Sequence, residues 1–125
     1  MTAGGKERFA ELVRLPDKHI DLGLAALLIA QEEYPELDPQ PHLDTLDRLG
    51  AAALSRLAPD MSARQVVESL ARLLAEQEGF GGNADDYYDP RNSFLNDVLE
   101  RRTGIPIALS VVYVEVGRRA GLDVY

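Results

Sequence analysis

The sequence predicts a mainly α-helical fold, a bundle of about five or six helices. Two observations lead there. Apolar residues recur at three- and four-residue spacing in segment after segment, and proline or glycine closes each segment at an interval suited to a short helix. A hydrophobic content of 46% supplies enough apolar surface for a real core.

The elements follow in chain order. Met1 to Lys6, with Gly4 and Gly5, reads as a flexible tail, and residues 7–125 as a single domain. Glu7 to Leu15 places Phe9, Leu12 and Val13 on one helical face; Pro16 then breaks it and Asp17 offers an N-cap. Lys18 to Tyr34 is apolar nearly all round, as expected of a central helix, and Pro35 stops it. Past Pro39 and Pro41, His42 to Leu57 aligns Leu43, Leu46, Leu49, Ala53, Leu54 and Leu57 in one stripe. Ser62 and Gln65 form a capping-box pattern, in which each side chain satisfies the other residue's free amide. Val66, Val67, Leu70, Leu73 and Leu74 carry that helix to Gly79.

Phe80 to Asp89 reads as a loop, with Gly81, Gly82 and Asn83 suited to left-handed backbone. A further helix is expected from Pro90–Asn92 through Phe94, Leu95, Val98 and Leu99 to Arg102, with Gly104 ending it. Ile105 to Ala120 is rich in β-branched valine, which favours a strand. Pro106 at a first turn, Leu109, Val112, Tyr113 and Val116 on one helical face, and Arg118-Arg119 before Gly121 favour a helix. Helix is the prediction.

Composition excludes several functions. A net charge of −8 and a pI near 4.7 repel phosphate backbones, and the basic residues cluster only as the pairs Arg101-Arg102 and Arg118-Arg119. No nucleic-acid partner is expected. The absence of cysteine removes disulfides, thiolate metal sites and thiol nucleophiles together. No apolar h-region follows Met1 to Lys6, so no secretory signal is read there, and the longest apolar run, Leu22 to Ala30, is too short to span a bilayer. A cytoplasmic protein with no membrane partner is the expectation.

The informative stretch is Tyr88-Asp89-Pro90-Arg91-Asn92-Ser93-Phe94-Leu95, followed by Arg101-Arg102-Thr103-Gly104-Ile105-Pro106-Ile107-Ala108-Leu109-Ser110. It resembles the core signature of the SirB1-type transglutaminase-like family: an Asn-Ser run, then Arg-Arg-x-Gly-Ile-Pro-Ile-x-Leu-Ser. Val111 to Gly121 continues the likeness, and Glu32-Glu33-Tyr34-Pro35 is similar to the family's N-terminal part. The specific portion runs from Tyr88 to Gly121. The resemblance implies a helical lobe packed on an antiparallel sheet, so that the chain is the helical part of an α+β domain whose sheet lies beyond it. It also implies a cysteine opening the central helix, with a histidine and an acid on following strands. Counting back from Gly121 puts the cysteine slot near Pro106, where no cysteine stands. The family's Pro-Gly-His-Phe segment would follow the central helix, and the domain is therefore expected to be C-terminally incomplete at Tyr125.

Candidate site residues are weighed accordingly. An acyl-transfer thiolate owes its reactivity to a neighbouring imidazole, and proline offers no such chemistry. Ser110, one turn on, is a weak nucleophile candidate, since a serine needs a positioned base and an oxyanion hole; hydrogen bonding to its own helix is the plainer role. His19 and His42 stand apart near helix starts and read as surface or capping residues rather than metal ligands. Asn83, Asp85, Asp86 and Asp89 do not match the EF-hand spacing and read as a solvated acidic loop, so no metal and no cofactor are expected. Asn92, Ser93 and Asn96 either cap a helix or line a vestigial cleft together with Gly104, Ile105 and Pro106. Arg102 is expected to pair with an acid there. Tyr87 and Tyr88 offer an exposed binding surface or anchor the loop.

Two functions follow. One is a non-catalytic transglutaminase-like module that binds a protein partner or a second copy, with the last helix presenting an uncovered apolar face. The alternative is a cysteine-independent hydrolase or acyl-transferase completed by residues after Tyr125.

Overall fold

A computed structural model describes residues 3–12, 14 and 20–124. It is mainly helical, with no strand among those residues. The helices are α1 (Ala3–Leu12), α2 (Leu22–Glu33), α3 (Gln40–Leu54), α4 (Ala63–Ala71), α5 (Leu95–Arg101) and α6 (Pro106–Arg119). A π-helical segment, Arg72–Gln77, continues α4, and a 3-10 turn, Pro90–Asn92, precedes α5.

α6 is the hub. It lies against α2, α3 and α5 and contributes Ala108, Val112 and Val116 to the core, with Ala120 just past its end. Leu27 of α2, Leu46, Leu49 and Ala53 of α3, and Leu95, Val98 and Leu99 of α5 complete that core with Leu73, Leu74 and Phe80. Pro106 occupies the first turn, where a missing N–H costs nothing. At the other end the Leu122 N–H reaches the Gly117 carbonyl and the Gly121 N–H reaches that of Arg118. With Gly121 at φ +86°, this is a Schellman stop. Tertiary burial, not β propensity, decides this segment: Val112 and Val116 are fully buried on one helical face, and Val111 and Val114 are half-buried beside it. The all-round apolarity of α2 has a matching cause, because the helix touches α1 as well as α5 and α6.

Several local expectations change. α1 begins at Ala3, not Glu7, and Gly5 is buried within it. Pro16, Asp17 and His19 lie outside the described residues. Asp21 caps α2, its carboxylate accepting from the Leu24 N–H at 3.0 Å, so helix starts at Leu22 rather than Lys18. α3 runs two residues earlier and stops at Leu54, whose side chain is exposed. The Arg56 and Leu57 amides bond to carbonyls three residues back, which tightens the end of the helix. His42 is buried on α3 rather than at the surface, with Nε2 3.8 Å from Glu100.

The Ser62–Gln65 capping box is formed. Val67, expected on the packed face, is exposed instead, and α4 has no fully buried residue until the chain widens into π-helix at Leu73 and Leu74. The wider register appears in Glu78 N–H to Leu73 O and Phe80 N–H to Leu74 O, and Gly79 at φ +78° supplies the reversal. Positive φ thus falls at Gly79, not at Gly81, Gly82 or Asn83.

The expected helix from Pro90 to Arg102 is split. Phe94 is extended (φ −99°, ψ 126°), separating the 3-10 turn from α5. Gly104 does not end α5; Arg102 does, in the left-handed region at φ 60°. A non-glycine residue there is strained by about 1–3 kcal/mol. Arg102 is held by Glu78 at 3.4 Å and by the Phe80 ring, 4.7 Å from its guanidinium carbon.

Candidate functional site

The residues singled out around the start of α6 are brought together by backbone bonds. Gly81 pairs with the segment after α5: its N–H donates to Arg102 O at 3.0 Å and its carbonyl accepts from Gly104 N–H at 3.1 Å. The Ile105 N–H donates to Asn92 O at 3.0 Å. Gly104 is needed for closeness rather than for a turn. A Cβ there would lie 2.8 Å from a Val98 methyl and 3.2 Å from Asn92 O.

Asn92 is the organiser, with a side chain only 1% exposed. Its Nδ2 donates to the carbonyls of Asp86 (3.0 Å) and Tyr87 (3.1 Å), while its Oδ1 accepts from Asn83 Nδ2 at 3.2 Å. Asn83 Oδ1 in turn accepts from the Asp86 N–H at 2.9 Å. The 80–89 loop is therefore folded over a buried amide, and Asn92 is not a helix cap.

Between this loop and the start of α6 lies an open cleft of about 440 Å³ lined by Gly82, Asn83, Ala84, Tyr87, Asn92, Gly104, Ile105 and Pro106. Ile105 also walls a smaller apolar hollow of about 210 Å³, shared with Ala26, Ile29, Ser93, Leu95, Ile107, Ala108 and Val111. Of the sequence candidates, Asn92, Gly104, Ile105 and Pro106 meet at the first cavity and Ser93 at the second. Asn96 is buried on α5, with its Oδ1 lacking a hydrogen-bond partner among the described residues. Arg102 faces Phe80 and Glu78. Tyr88 is 89% exposed and meets Tyr87 edge to face, their centroids 5.3 Å apart. Ser110 lines neither cavity; its hydroxyl donates to Pro106 O at 2.8 Å, one turn back.

Electrostatics fix the flank of the loop. Asp89 accepts from the Arg91 side chain and backbone and lies 3.5 Å from Arg101. The Arg91 hydrogen bonds hold its carboxyl down at about 2. On the far side of α6, Glu115 is 2% exposed. It accepts from the Gly23 N–H, pairs with Arg119 Nη1 at 3.2 Å, and lies beside Asp21. Burial pushes its carboxyl up, and the Gly23 hydrogen bond only partly opposes this. Glu115 was not a sequence candidate. One acidic residue inside an apolar helical run was the signal available. No group of three or more potential metal ligands occurs among the described residues.

This geometry, a helix opened by Pro106 under a folded loop, lies within the part of the chain covered by a known family. The family model described as the transglutaminase-like superfamily matches residues 40–125. The chain belongs to the transglutaminase-like superfamily. It is 42% identical over 112 residues to a UPF0162 protein of Xylella fastidiosa, covering 89% of this chain and 40% of that protein. A UPF0162 protein of Vibrio cholerae is 32% identical over 103 residues, 82% of this chain and 38% of the relative. F-box only protein 21 of Mus musculus is 43% identical over 58 residues, 46% of this chain and 9% of that protein. The chain thus spans about 40% of the length of the UPF0162 relatives it matches. No solved structure matches. This transglutaminase-like domain has no helix long and apolar enough to cross a membrane among its described residues.

Proposed function

We propose that the chain is the helical part of a SirB1-type transglutaminase-like module that has kept a cleft and lost its nucleophile, and that works by binding a protein partner. The carrying observation is Pro106. It opens α6 at the head of the cleft, near the position where the family resemblance places a cysteine, and none of the eight lining residues is a cysteine, serine or histidine. Ser110 points back to its own helix, and His42 sits on α3 beside Glu100. A proline ring offers neither a nucleophile nor a proton, whereas a hydroxyl engaged with its own turn has no base to activate it. The cleft itself remains built, with a buried amide holding one wall and a close-packed glycine the other.

The test is acyl transfer by the native full-length protein toward an activated ester and a glutamine donor. Rates equal to buffer are expected. Turnover above buffer that disappears in Ser110→Ala would overturn the reading and establish a serine-dependent enzyme.

A further inference from the structure

We infer that the cleft beside Pro106 takes an extended segment of a partner protein carrying lysine or arginine next to apolar residues; this rests on the binding reading above. The floor supplies the apolar part. Ile105, Pro106, Ala84 and Gly82 present no charge, and the Tyr87 ring forms a wall that is 61% exposed. Little of the cleft's polar rim is free to recognise a peptide. Asn83 is engaged at both ends of its amide, and both donors of Asn92 are used internally.

The charge on the loop decides the chemistry. Asp85 and Asp86 stand between the lining residues Ala84 and Tyr87, both exposed, and neither makes an ion pair among the described residues. The neighbouring cations do not compensate them, because Arg91 and Arg101 are both turned on Asp89, with Arg91 Nη2 at 2.6 Å and Arg101 Nη2 at 3.5 Å. No arginine or lysine lines the cleft. Two uncompensated carboxylates beside an aromatic wall attract a cation, and Tyr87 adds a ring face for it. A net charge of −8 steers such a partner toward the protein at long range, while Asp85 and Asp86 give the local preference.

The experiment uses two fluorescein-labelled nine-residue peptides with one apolar framework, carrying three lysines or three glutamates at the same positions. Anisotropy is followed with the full-length protein. The lysine peptide is expected to bind at least tenfold more tightly than the glutamate peptide. Asp85→Asn with Asp86→Asn should weaken it three- to tenfold. Asp60→Asn with Glu76→Gln, which removes two exposed charges elsewhere, should weaken it less than twofold. Ala84→Phe, on the exposed loop, should abolish binding by filling the cleft. Equal losses from the two charge pairs would overturn the proposal by making the attraction general. Glutamate-peptide binding that is at least as tight as lysine-peptide binding, and sensitive to Ala84→Phe, would overturn the cationic preference but leave a binding cleft. Binding of both peptides unaffected by Ala84→Phe, or of neither, would overturn this proposal and count against the cleft as the binding surface.

Discussion

Replacing Asn92 tests whether one buried amide builds the cleft. Asn92→Ala deletes three hydrogen bonds, at 3.0, 3.1 and 3.2 Å. At about 1 kcal/mol each the gross loss is about 3 kcal/mol. The carbonyls of Asp86 and Tyr87 belong to exposed residues and regain water, which lowers that figure, while the void left by a side chain 1% exposed raises it. A net destabilisation of about 2–3 kcal/mol is expected, moving a urea midpoint by on the order of 1 M. The Ile105-to-Asn92 bond is between backbone atoms and survives, so the damage should concentrate in the loop. Hydrogen exchange should therefore accelerate at the Asp86 amide, now held by Asn83, before it changes in α6. Asn92→Asp is sharper still. It sets a carboxylate oxygen against two carbonyls in a dry site, and is expected to cost more than alanine at neutral pH. Its folded-state pKa would be raised above the usual carboxylate value, so the deficit should be smallest in acid and grow as pH rises. A loss below about 0.5 kcal/mol for Asn92→Ala, or an Asn92→Asp protein as stable as the parent, would refute the claim that the amide holds the loop.

Three other outcomes are expected. Glu115→Gln keeps the acceptor for Gly23 and removes a charge that burial disfavours; stability should hold or rise at pH 7 in a denaturant titration. Because the Glu115 pKa is raised, its contribution is fullest in acid and declines as pH climbs above about 4.5, and the glutamine variant should lose that decline. Asp89 carries the opposite sign: its pKa is lowered to about 2, so the stability it gives is present above about 3.8 and is lost as pH falls toward 2. Asp89→Asn should flatten that acid limb. Gly50→Ala would put a Cβ 2.3 Å from the Arg119 Cβ, an atom fixed to the backbone of α6; the forced separation of α3 and α6 should cost about 1–3 kcal/mol and lower Tm in a thermal melt.

The sequence alone determined the helical class, the capping box at Ser62, the proline start and glycine stop of α6, and the family likeness from Tyr88 to Gly121. Each depends on residues within a few positions of one another, where periodicity, fixed φ and local hydrogen bonds act directly. Tertiary structure decided the rest. Propensity favoured a strand for the valine-rich run, but packing of α6 against three helices settles it as their centre. Asn92 looked like a cap because short polar residues before a helix usually are; its real partners lie five to nine residues back, in a loop whose path no local pattern dictates. Gly104 looked like a helix stop, yet α5 ends at a left-handed Arg102, and Gly104 is glycine because Val98 and Asn92 crowd it. Glu115 was invisible as a site, since its partners Gly23 and Asp21 lie more than ninety residues away in the chain. Such contacts arise only when distant helices meet, and burial then sets both the spacing and the charge state of what they enclose.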